Sequence, residues 1–155
     1  ALDVFYYTYA VFHSPNYRSR YAEFLKIDFP RLPLISNKTI FEQLVLLGEQ
    51  LVSIHLMTAD IDSDCCFRMA GDNVVEKVYY QDDKVYMNKT QYFDNIPSAV
   101  WEFHIGGYQV CQKWLKDRKD RVLSYNDCSQ YLYIVAAIIH TQQLMQNVDE
   151  VLILG

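Results

Sequence analysis

The chain has 155 residues, 51% of them hydrophobic and 15% aromatic, with 13 Tyr and a formal net charge of -5. That composition excludes disorder and low complexity, and the length suits one domain of ordinary size. The acidic balance excludes a polyanion binder relying on a long-range field, but leaves room for a basic patch on one face.

In chain order, "DVFYYTYAVFH" (3–13) is apolar on nearly all sides and reads as a short buried helix. "HSPNYRSRYAEFLK" restarts the chain, with Ser14 as N-cap, Pro15 at the first helical position, and an apolar stripe of Tyr17, Tyr21, Phe24 and Leu25. "DFPRLPLI" (28–35), with two prolines, is an extended connector. Residues 36–57 carry a strong helical pattern in Leu44, Leu47, Leu51 and Ile54, and Thr39 with Glu42 matches a capping box. Residues 58–73 are a polar loop without periodicity. Residues 74–88 form two β-rich runs around Gln81–Asp83, which predicts a hairpin. "AVWEFHI" (99–105) alternates and is expected to be a third strand. The glycine pair at 106–107 then breaks it, and "YQVCQKWLKDR" follows as a helix. Residues 124–148 predict a long terminal helix capped by Ser124, with Asp127 completing an S-x-x-D start. The order gives an α+β fold, with helices flanking a small antiparallel sheet (hairpin plus third strand).

No apolar run reaches the roughly 18 residues of a membrane span, so no membrane partner is expected. Four cysteines without CxxC spacing point to a reduced, cytoplasmic setting. The chain opens without Met, directly into an apolar segment, and is expected to be a piece of a larger multidomain enzyme. "DIDSD" (60–64) starts like a calcium loop, but Cys65 stands at the turn position and Gly71 at the closing one. The four histidines lack ligand spacing, so no metal is expected. "DDK" (82–84) falls at a hairpin tip rather than on a nuclease strand. Walker, nucleophile-elbow and dinucleotide motifs are absent, so the fragment is not expected to be catalytic.

"IGGYQVCQKWLKDRKDR" (105–121) concentrates five of the chain's fourteen Lys and Arg: Lys113, Lys116, Arg118, Lys119 and Arg121. A phosphate-binding patch and a solvated basic helix face both fit. Backbone N–H groups at Gly106 and Gly107 beside a new helix N-terminus would suit an anion, and Gln109, Lys113 and Lys116 share one face.

"YAVFHSPNYRSRYAEFLKIDFPRLPL" (9–34), "WEFHIGGYQVCQKWLKDRKDR" (101–121) and "TQQLM" (141–145) together resemble the C-terminal specificity region of type ISP restriction-modification enzymes. Those bacterial polypeptides join a nuclease, a helicase-like motor, an adenine methyltransferase and a target-recognition domain. The resemblance implies a non-catalytic domain that reads double-stranded DNA, with the parent's methyltransferase as an intramolecular partner. S-adenosylmethionine, ATP and Mg would then belong to the parent's other domains, and no cofactor to this fragment. The rival is a scaffold module that positions those domains.

Residues of the shared pattern are poor candidates for base readout and better ones for phosphate positioning or folding, because backbone contacts carry no sequence information. The candidates for phosphate contact are thus Arg18, Gly106, Gly107, Gln109, Lys113, Lys116 and Lys119, with a docking surface for the parent's methyltransferase as the alternative for the helix of Arg18. Base contacts are expected from the weakly matched stretch 58–98: Arg68, Asn73, Lys77, Gln81, Lys84, Asn88 and Lys89, with Gln91 also available.

Overall fold

The computed structural model describes residues 1–28 and 30–154. Their contacts gather into two compact units: Ala1–Asp60 with His140–Gly155, and Ile61–Ile139.

In the first unit, α1 (Leu2–Phe12) packs against α4 (Lys38–His55). The expectation that α1 is buried all round holds for one face only. Tyr7, Ala10 and Val11 are buried, whereas Leu2, Val4 and Phe5 are more than half exposed. Ser14 caps α2 (Pro15–Arg20) as expected: its Oγ accepts from the Tyr17 N–H at 3.0 Å and donates to Asp149 at 2.5 Å. The expected single helix breaks at Tyr21, which leaves helical geometry and separates α2 from α3 (Ala22–Leu25). The cap of α4 is Asn37 rather than Thr39. The Asn37 side chain accepts from both the Thr39 and Ile40 N–H groups, so the helix starts two residues before the expected cap. Val148 from the last helix joins Tyr7, Tyr17, Ile40 and Leu44 in this unit's core.

The second unit is built on a three-stranded antiparallel sheet of order β1 (Tyr79–Gln81), β2 (Lys84–Tyr86), β3 (Tyr92–Phe93). Asp82 and Asp83 both take positive φ, giving the two-residue type I′ turn whose twist matches a hairpin. The third strand is therefore Tyr92–Phe93, not 99–105. Pro97 presets the chain there, and Ser98–Trp101 forms a helical turn, α5, whose Val100 and Trp101 N–H groups donate to the Pro97 carbonyl. Only His104–Ile105 of that stretch is strand. It forms β4, paired with β5 (Tyr108–Gln109). α6 (Val110–Lys116) follows. Helix α7 (Tyr125–Ile153) begins with the expected reciprocal cap: Asp127 N–H to Ser124 Oγ at 3.1 Å, and Ser124 N–H to the Asp127 carboxylate at 2.9 Å. The core holds Val75, Val85, Met87, Phe93, Ile96, Leu115 and Tyr131, and the Tyr131 hydroxyl donates to the Cys111 carbonyl.

Candidate nucleic-acid interface

Alternation along the strands sorts the sheet into two faces. Tyr80, Val85 and Phe93 point into the core, where Tyr80 stacks on Trp101 and donates to the Ile96 carbonyl. Burial first, and then the neighbouring Asp83 carboxylate, pushes the Tyr80 hydroxyl up to about 12. The opposite face presents Tyr79, Gln81, Lys84, Tyr86 and Tyr92. The Tyr79 and Tyr86 rings stack with centroids 4.5 Å apart and planes 4° from parallel. Tyr92 lies 5.1 Å beyond Tyr86, and Lys84 Nζ sits 5.5 Å over the Tyr92 ring. Beside Tyr92 runs a shallow groove of about 300 Å³ lined in part by Arg68, Asp64 and Asp94. Lys77 and Lys89 are exposed nearby in sequence.

The loops around this sheet are fixed by a buried amide cluster. Gln91, fully buried, donates from Nε2 to the Met69 carbonyl and to Asn73 Oδ1, and its Oε1 accepts from the Asn73 N–H and Asn88 Nδ2. Asn88 is 5% exposed; it also donates to the Val74 carbonyl and accepts from the Thr90 and Gln91 N–H groups. Asn73 takes a positive φ and sits in the same cluster. The side chains of Asn88 and Gln91 are thus taken up by the fold, and the expectation that they face base edges is corrected to a structural role; Asn73 gives its Oδ1 and N–H to the same cluster. Arg68, Lys77, Gln81, Lys84 and Lys89 keep side chains open to solvent or to the sheet's outer face.

The basic stretch is less free than its composition suggests. Gly106 and Gly107 form the two-residue turn of the β4–β5 hairpin, with only Gly106 at positive φ (61°), the pattern of a type II′ turn. They do not open a helix; that expectation is corrected, because Tyr108 and Gln109 intervene as strand. Gln109 precedes α6, and its Nε2 donates to the Trp101 carbonyl at 2.6 Å, which makes it a brace. Lys113 pairs with Asp117 at 2.9 Å and lies 5.0 Å from the exposed Tyr108 ring. Arg118 lies 3.7 Å over Trp114 and donates to its carbonyl. Among the described residues, Lys116 and Lys119 are exposed without an ion pair. Arg18 belongs to the first unit, where its Nε donates to the Phe12 carbonyl at 2.5 Å.

All four cysteines are free; burial pushes Cys111 up to about 12 and raises Cys65 and Cys128, which disfavours the reactive thiolate at these three.

Residues 1–147 match the model of the type ISP C-terminal specificity domain family. The chain belongs to this family.

Solved structures agree. A nuclease-deletion mutant of the type ISP restriction-modification enzyme LlaGI, in complex with a DNA substrate mimic, is 25% identical with a TM-score of 0.65, over 97% of this chain and 16% of that one. The ATP-dependent type ISP enzyme LlaBIII bound to DNA is 21% identical, TM-score 0.66, over 97% and 11%. A DrdV–DNA complex is 17% identical, TM-score 0.69, over 96% and 17%. The last two show the fold. The chain spans less than a fifth of each of these structures. No curated protein matches it.

In this specificity domain the predicted hairpin is present, with Gln81 and Lys84 on its outer face, but sequence reasoning did not single out the tyrosines beside them. The signal was present: in "YYQDDKVY" the period of two sends Tyr79 and Tyr86 to the side of Gln81 and Lys84, away from Val85.

Proposed function

We propose that this chain reads DNA sequence for a restriction-modification enzyme and performs no chemistry of its own. The match of residues 1–147 to a specificity-domain family carries the reading. The outer sheet face supports it, offering Gln81 as a group able to pair with an adenine edge on a rigid ribbon. Adenine methylation and cleavage would belong to other domains of the polypeptide. There S-adenosylmethionine, ATP and Mg would act, and the methyltransferase domain would be the intramolecular partner of this one.

The test is selection from a pool of random duplexes by the 155-residue chain, followed by sequencing of the bound fraction. Enrichment of one short motif is expected. A scaffold that positions neighbouring domains would retain no duplex or enrich nothing, and that result would end the proposal.

A further inference from the structure

The outer sheet face carries three tyrosines that the core does not use. Tyr79, Tyr86 and Tyr92 belong to neither hydrophobic core. Cross-strand stacking accounts for their rings, since aromatic pairs stabilise adjacent strands. It does not account for their hydroxyls. Among the described residues these three hydroxyls have no hydrogen-bond partner, whereas the hydroxyls of Tyr7, Tyr17, Tyr80 and Tyr131 each donate to a backbone carbonyl. Phe would stack equally well there, and the oxygens, like those of the exposed Tyr21, Tyr108 and Tyr125, are open to an outside acceptor, but here three stand in one row.

The charge of the face names that acceptor. Its five strand residues are three Tyr, Gln81 and Lys84: donors and one cation, with no carboxylate on the strands themselves, in a chain of net charge -5. Asp64, Asp94 and Arg68 line the groove beside Tyr92. Of the two tip aspartates, Asp83 is turned toward Tyr80, accepting from its hydroxyl at 2.9 Å; Asp82 stays exposed at the end of the hairpin. A row of hydroxyl donors beside an ammonium matches the oxygens of a phosphodiester strand, which Tyr and Lys contact in duplex complexes. We infer that the Tyr79–Tyr86–Tyr92 ladder with Lys84 is a phosphate-backbone seat for duplex DNA, holding register while other groups read bases. The sheet gives the rigidity this needs, because the stacked rings fix each hydroxyl relative to the next. The inference rests on the duplex-reading function proposed above, moves the phosphate seat away from the β4–β5 turn, and takes Lys84 out of base readout.

The experiment compares the wild-type chain with Tyr79→Phe/Tyr86→Phe/Tyr92→Phe and with Lys84→Met, each first checked for unchanged thermal unfolding. Affinity is measured by fluorescence anisotropy on the selected duplex and on a scrambled one, across a salt series. The triple variant keeps every ring and is expected to lose about tenfold or more in affinity on both duplexes alike. Lys84→Met should lower the slope of log K against log salt by about one. If the wild type binds neither duplex, this inference falls together with the recognition reading. If the wild type binds and the triple variant binds as well, the ladder alone is overturned. Loss confined to the selected duplex also overturns it, because the face would then be reading bases. Should the triple variant unfold, the Lys84→Met slope decides: an unchanged slope refutes the seat.

Discussion

Gln91 shows how a polar residue in a loop-rich stretch can be structural. Its side chain takes part in four hydrogen bonds that tie Met69, Asn73 and Asn88 together. Gln91→Ala would take the shared acceptor from the Asn73 N–H and the buried Asn88 amide and leave a hole in the cluster. The expected loss is about 2–4 kcal/mol, read as a lower urea midpoint at unchanged slope. None of this was legible in the sequence, because the partners lie up to 22 residues away and only the fold brings them together. A second residue-scale effect concerns His13 and His55, whose rings lie 5.3 Å apart. His55 accepts or donates at Tyr9 (2.6 Å) and Thr141 (3.1 Å), and His13 at the Tyr9 carbonyl. Burial first holds both below the ordinary 6.5, with the Arg18 charge acting in the same direction. The folded state therefore binds protons less readily than the unfolded one. Stability is fully present above 6.5 and is lost as pH falls through that value toward the depressed folded pKa values. Urea midpoints taken from about pH 7.5 to about pH 5.5 should fall, and His13→Asn/His55→Gln should flatten the trend.

At the scale of elements, local signals were read well where one residue type settles the geometry. The Ser14 and Ser124 caps and the Asp82–Asp83 turn are of this kind, since each rests on chemistry within four residues. The third strand was misplaced because β3 is two residues long, too short to show alternation, whereas 99–105 alternates over seven residues and still turns helical after Pro97. The β4–β5 hairpin was missed for the same reason of length. The α1–α4 packing turns on Gly48, which is buried in α4: a Cβ built there would overlap the Tyr6 carbonyl. The obstacle is backbone, so it cannot rotate away, and the helices would have to separate. Gly48→Ala gains helix propensity of about 1 kcal/mol but should still destabilise the chain by about 1–3 kcal/mol net. Thermal unfolding of the variant checks this, and an unchanged or raised midpoint would contradict the close approach.

Across the whole molecule, both units are net acidic, although most of the cations lie in the second. Nine of the fourteen Lys and Arg, and eleven of the nineteen Asp and Glu, fall within residues 61–139, leaving that unit at -2. A duplex would thus meet no favourable net field, and binding would depend on which cations are free at short range. Sequence composition located the cations but not their freedom, which depends on neighbours such as Asp117 and Trp114. The two classes can be told apart by salt. Lys116 and Lys119 are exposed without an ion pair, while Lys113 is already held by Asp117 at 2.9 Å. If α6 and the turn that follows it lie along phosphates in addition to the sheet face, Lys116→Ala/Lys119→Ala should reduce the slope of log K against log salt by about one per residue. Lys113→Ala should change the slope less, because removing it frees an aspartate rather than losing an unpaired cation. Anisotropy titrations on one duplex across a salt series measure all three. A double variant with the wild-type slope would leave α6 as a solvated basic face, with Lys116 and Lys119 serving solubility alone.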